Sequence, residues 1–394
     1  MKNNILILSI ILTICYGCKE EYIGQYPVDN TPPKPVSRVV VENLEGKTII
    51  TYALPEEDDL LFIKAVYTSY SGKIVETPSS AYSNSIVLKG FGKSAKTQVQ
   101  LIAVDKSYNE STPVTVEIEP LDSPIYDIIN TLSFYESFGG VKLQWMNPLG
   151  EEIVFGALMK DDEGTFKHIE TIFTSEKSAN RAIRGMDSKL TEFAFYFRDM
   201  FYNYTDTIYA QLTPIFEEEL NKKNFVSFRL SSKFSFHGYG GGKMEAMWDN
   251  VYNVDDNLLY INSAPEKIYF AFDMGLNAKL SRFRLWTRRN FMYQLHHFRT
   301  FEIWGTSDQA ATTDPDNWNG WVKIMDCESI SPFGRTAGGE ASAEEVEYLL
   351  QGEEWEVPLE APPFRYMKFK INSTWTNSAA AFVNEITIWG NTKI

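Results

Sequence analysis

Cysteine and histidine are scarce: three and four in 394 residues. Three cysteines make no disulfide framework, and four histidines leave little for a histidine-built metal centre. Gly-x-Ser-x-Gly, His-Glu-x-x-His and spaced Cys/His clusters are missing, and with them the usual signatures of nucleophilic and metal-assisted hydrolysis. Basic residues are also short: 37 Lys and Arg against 52 Asp and Glu leave a net charge of −15. Nucleic-acid binding rests on cations that neutralise phosphates, so nucleic acid is excluded as a main partner. Long apolar runs are lacking too. The run at residues 5–14 covers about 15 Å as a helix, half of a roughly 30 Å bilayer core. Aromatics, by contrast, are plentiful at 14%. Buried, they build sandwich cores; exposed, they stack on ligands.

The N-terminus reads as an address. Lys2, the short apolar run and the small Gly17 form a secretory signal over residues 1–17. Cys18 then becomes the lipidated mature terminus. Lys19, Glu20 and Glu21 follow it directly, which resembles the surface-export signal of Bacteroidota lipoproteins. That resemblance implies a lipid-anchored protein facing outward from the outer membrane. Residues 18–35 hold Pro27, Pro32, Pro33 and Pro35 and read as an extended tether.

Short alternating apolar runs separated by turn residues begin at Val36, the pattern of an antiparallel sandwich. An internal repeat organises this half. Asp105, Tyr108, Asn109 and Pro120 recur as Asp199, Tyr202, Asn203 and Pro214. Tyr52 with Pro55 recurs as Trp145 with Pro148. Each block resembles a fibronectin type III domain, so residues 36–121 and 122–232 are expected to be two such spacers. Residues 233–243 contain His237-Gly-Tyr-Gly-Gly-Gly-Lys243, which lacks the P-loop spacing and reads as a linker.

From residue 244 the pattern changes. Asp249, Asp273-Met-Gly275, the Arg-ended strand at 280–288, Thr306-Ser-Asp308, Arg365-Tyr366 and Glu385-to-Gly390 follow in order. This order resembles the discoidin (coagulation-factor type C, galactose-binding-like) family, over residues 244–394. The resemblance implies an eight-stranded jelly roll with a sugar site in loops at one end. Residues 309–319 and 340–356 depart from the pattern and are expected to reshape that end. The expected class is therefore all-β, with three β-sandwich domains in tandem.

Between Met274 and Phe301 six basic residues stand without an acid, a local reversal of the chain's charge. We read a carbohydrate site there. Trp286 or the loop residue Trp375 would stack on a pyranose, and Arg288, Arg289 and His296 or His297 would bond hydroxyls, carboxylates or sulfates. The discoidin resemblance further implies a structural Ca²⁺ held by Asp249, Glu385 and either Asp255 or Asp256, hard oxygen ligands that suit the ion. No catalytic residue is assigned, and the chain is not read as an enzyme. The resulting expectation resembles the accessory lipoproteins of starch-utilisation-type systems: non-catalytic capture of a polysaccharide or oligosaccharide near neighbouring lipoproteins and a transporter. An adhesin or scaffold that binds a protein is the rival.

Overall fold

The computed structural model describes residues 29–69, 72–236, 243–263 and 268–394. The secretory signal, Cys18, most of the tether and the glycines of the joint lie outside these residues. The chain is all-β and folds as sandwiches. In the first, a three-stranded sheet (Ser37–Leu44, Lys47–Ala53, Ser85–Lys89) faces a four-stranded one (Ile74–Ser80, Leu60–Thr68, Thr97–Asp105, Val114–Ile118). Strand alternation fixes what lies between them. Thr48, Ile50 and Tyr52 point inward from one strand and meet Ile63, Ala65 and Leu101.

The second sandwich repeats the plan. Ser178–Ile183, Gly140–Met146 and Ser133–Ser137 face Phe166–Thr174, Ile153–Lys160, Thr191–Asp199 and Ile208–Leu212. Trp145 takes the place of Tyr52 and stacks on Phe155 at 4.9 Å, with Phe197 edge-on at 5.4 Å.

The repeated Asp-x-x-Tyr-Asn is a turn with two jobs. Asp105 Oδ1 accepts the N–H groups of Ser107 and Asn109, and Asp199 Oδ1 accepts those of Phe201 and Asn203. Tyr108 and Tyr202 take the left-handed conformation (φ 63° and 66°) that closes each turn. The asparagines then reach outward. Asn109 Nδ2 donates to the Asp29 carbonyl at 3.2 Å, and Asn203 Nδ2 donates to the Gly90 carbonyl at 3.1 Å. The first turn thus grips the segment ahead of its domain, and the second grips the first sandwich.

The third unit is larger. Its central strand, Tyr269–Trp286, runs for 18 residues and serves both layers. The first half pairs with Phe364–Thr374. The ladder breaks between Asp273 and Ala278, and the second half pairs with Glu385–Asn391. Gly275 lies at the break with φ 81°, and a Cβ there would meet Asn224 at 2.6 Å. Asp273 caps the Gly275 N–H at 2.7 Å and takes two 2.8 Å bonds from Arg365. Two pieces of the discoidin-like pattern therefore meet as one ion pair. Between the layers lie Phe272, Phe283, Phe301, Phe369 and Ile388, all almost fully buried.

One boundary differs from the expectation. Glu218–Glu219 and Val226–Ser227, placed in the second domain by sequence, pair with strands of the third. Phe234–Phe236, read as linker, is a strand paired with Leu259–Ser263. Val226-Ser227-Phe228-Arg229-Leu230 and Phe234-Ser235-Phe236 alternate as strands do, but alternation does not say which sheet a strand joins, so their membership became visible only through pairing.

Candidate functional site

The basic strand does not face solvent as a patch. Its partner is the acidic strand Glu353–Glu356, in the register Arg282↔Glu356 and Arg284↔Glu354. Arg282 and Arg284 share the Glu354 carboxylate at 2.8 and 2.7 Å. Arg282 also reaches Glu217 and lies 3.8 Å over the Trp389 ring. Arg288 stacks on Phe291 and stands 3.9 Å from Asp255. The charge reversal is thus neutralised from a remote part of the sequence. The matched spacing of Arg282-x-Arg284 with Glu354-x-Glu356 was the one signal that could have shown it. Of the arginines proposed to bind sugar, Arg289 remains exposed, at the start of a short 3-10 turn (Arg289–Phe291).

Both tryptophans are covered, which corrects their reading as stacking platforms. Trp286 is 7% exposed; its Nε1 donates to the Leu350 carbonyl at 3.2 Å and its ring packs on Tyr252. Trp375 is 4% exposed and packs with Tyr293, Met292 and Leu349. The cover is the departing stretch at residues 340–356. Its helix, Ala343–Leu350, begins with a capping box between Ser342 and Glu345. Arg335 and Ser331 grip Glu345 at 2.6 and 2.9 Å, and Arg335 holds this carboxyl far down, at about 2. That stretch was expected to reshape this end, and it does so by closing over it.

Beneath the cover runs a polar chain. Trp375 Nε1 donates to Ser329 Oγ at 3.1 Å, Ser329 donates to Glu353 at 2.6 Å, and Glu353 lies 2.9 Å from His297 Nε2. Serine, histidine and glutamate are together, but not as a hydrolytic triad. His297 Nδ1 already accepts the Tyr293 N–H, so no ring lone pair faces the serine.

The calcium set does not fit an ion. Glu385 is fully buried, and Lys222 already supplies its cation: Nζ lies 2.8 Å from Glu385 Oε1 and 3.0 Å from Asn250 Oδ1. The Asn250 N–H takes the other Glu385 oxygen at 2.8 Å. Burial nonetheless pushes the Glu385 carboxyl up to about 7 against the pull of Lys222. Asp249 is spent on Val251 and Asn257, and Asp255 on Asn290. Among the described residues no group of three or more acidic, histidine or cysteine side chains converges on a metal-sized site. The sequence reading missed Lys222 because it lies outside the assigned domain boundary.

His296 is the remaining candidate, and it lines an open groove. The groove has a volume of about 570 Å³ and is walled by Lys233, Phe234, Asn262, His296, Ser378 and Ala379. Tyr260 and Ser378 hold the two imidazole nitrogens, and the ring stacks on Tyr260 at 5.1 Å. The neighbouring His297 points inward instead, so the two histidines share no ligand. The groove combines a fixed imidazole, an amide, a hydroxyl, an ammonium and one half-buried ring. Both imidazole nitrogens and the Ser378 hydroxyl are already bonded and the Lys233 ammonium lies 3.7 Å from Asp316, so the groove offers a pre-set polar edge beside the Asn262 amide and the Phe234 ring.

Three family models match successive stretches, each described as a domain of unknown function: DUF4959 over residues 33–120, DUF5126 over 121–223 and DUF5000 over 248–390. No curated protein matches the chain. Among solved structures it is similar to a SusE-like protein, at 28% identity over 68% of this chain and 99% of that one, with a TM-score of 0.44. It is also similar to a CBM32 module from a family 31 glycoside hydrolase of Clostridium perfringens, at 13% identity over 44% and 95%, TM-score 0.32. A two-domain fibronectin type III segment of chicken tenascin is similar at 16% identity over 46% and 99%, TM-score 0.22.

Proposed function

We propose that this chain is a non-catalytic, lipid-anchored surface protein that captures polysaccharide in the His296 groove of its third domain. The groove itself is the observation that carries the reading. It is the place on the discoidin-like domain where a residue singled out from sequence meets solvent among hydroxyl-bonding side chains. Binding without turnover is supported by the Ser329–Glu353–His297 chain, whose protons are committed to one another. The two fibronectin-like sandwiches hold the groove away from the anchor at Cys18. Single sugar contacts are weak, so several contacts along one polymer would set retention.

The test is affinity-gel electrophoresis of the chain from residue 20 onward, which keeps every described residue, against plant, host and microbial polysaccharides. Retardation by at least one polymer, with its chain length unchanged after incubation, is expected. No retardation by any of them contradicts the proposal, and shortening of the polymer contradicts its non-catalytic half.

A further inference from the structure

A second cleft lies far from the third domain, where the repeats meet. It has a volume of about 690 Å³, is lined from both sandwiches, and falls within the size range of saccharide and cofactor pockets. The turn that closes the second repeat forms one wall. Its Phe201 is 54% exposed and its Tyr202 69% exposed. Their placement is fixed from the other side by glycine. A Cβ at Gly90 would meet the Phe201 ring at 2.9 Å, and one at Gly92 would meet Asn203 at 2.8 Å. The Asn203–Gly90 bond closes the joint. The cleft is therefore held open by a defined contact.

Its charge is opposite to that of the chain. Lys73 and Lys89 line it and no aspartate or glutamate does, although acids outnumber bases 52 to 37 overall. Among the described residues neither lysine has an acidic partner, whereas Lys64, Lys93 and Lys96 of the same domain are all ion-paired. Arg198, outside the lining, lies 4.7 Å over the Tyr202 ring. Two exposed rings beside unpaired cations suit a ligand with both an apolar face and a negative charge.

We propose that this interdomain cleft is a second saccharide site, for an acidic sugar. Tyr202 and Phe201 cover a pyranose face, and Lys73 and Lys89 bind its carboxylate or sulfate. The inference shares with the proposed function the premise of a polysaccharide ligand but is independent of the His296 groove. It is tested on the chain from residue 20 onward in gels containing polygalacturonate or the neutral glucan pullulan. Polygalacturonate should retard the wild type, and the double variant Lys73→Met/Lys89→Met should weaken binding about tenfold or more, as for loss of charge-assisted bonds. Tyr202→Ala should weaken it several-fold. Raising salt from about 50 to about 500 mM should weaken it further. A charge-matched control, Lys177→Met/Lys189→Met, should bind as wild type, and the groove variant Ala379→Trp is run beside it to show whether acidic binding uses the groove. If the wild type ignores polygalacturonate, or if the control loses as much as the cleft variant, the inference fails. If Ala379→Trp instead abolishes acidic binding, the cleft is refuted while the proposed function stands. Cleft-dependent acidic binding with no contribution from the groove supports the inference and leaves the groove to be judged on neutral polysaccharide.

Discussion

Two regions of this chain gather aromatic and cationic side chains, and they have opposite fates. Around Trp286 and Trp375 the rings lie 7% and 4% exposed, and the arginines are matched by an acidic strand. Between the first two sandwiches Phe201 and Tyr202 stand in solvent, and among the described residues Lys73 and Lys89 have no acidic partner. In the one-dimensional sequence the first region looks like the binding site and the second like a turn in a spacer. What separates them is cover. The stretch at residues 340–356, remote in sequence, folds over the first, whereas the second exists only because two repeats dock through glycines.

The comparison can be broken at the covered end first. Trp375→Ala should cost about 3–5 kcal/mol of stability, the usual penalty for emptying a buried tryptophan site. A chemical-denaturation curve gives the number. A platform tryptophan would behave the other way, losing retention with stability intact.

Lys222 offers a test of similar size. Lys222→Met leaves Glu385 buried without its cation and should cost about 3–5 kcal/mol where that carboxylate is ionised. With the folded carboxyl at about 7, the loss should be larger at pH 8 than at pH 5.5, where Glu385 holds a proton. In the wild type, calcium or EDTA should leave the melting temperature unchanged. A rise with calcium would show that the ammonium does not replace the ion.

A smaller effect concerns the cover itself. Arg335 holds Glu345 at about 2, below its ordinary 4.5. The pair's contribution is present in full above pH 4.5 and is lost as pH falls toward 2. The melting temperature should drop across that window, and Glu345→Gln should flatten this part of the slope. An unchanged slope would mean that the cover does not depend on the pair.

Much of the framework was legible. The Asp-x-x-Tyr-Asn repeat marks a turn whose capping bonds recur almost atom for atom, and Asp273 and Arg365, two separate pieces of the sequence pattern, meet as one ion pair. The site was legible only in part. Alternation put Arg282, Arg284 and Trp286 on one side of a strand, but alternation says nothing about what is laid on that side. Lys222 was hidden by a boundary drawn where an alternating stretch does not reveal which sheet it joins. The cleft was hidden because its walls lie over a hundred residues apart, and no local pattern records how two domains dock.

The central claim is that capture occurs in the open groove at His296. Ala379 is exposed on its wall, so Ala379→Trp fills the groove without touching the core. Retardation of this variant should be measured beside the wild type on whichever neutral polysaccharide the wild type binds. The account predicts lost retardation at an unchanged melting temperature. Retardation equal to that of the wild type would contradict it.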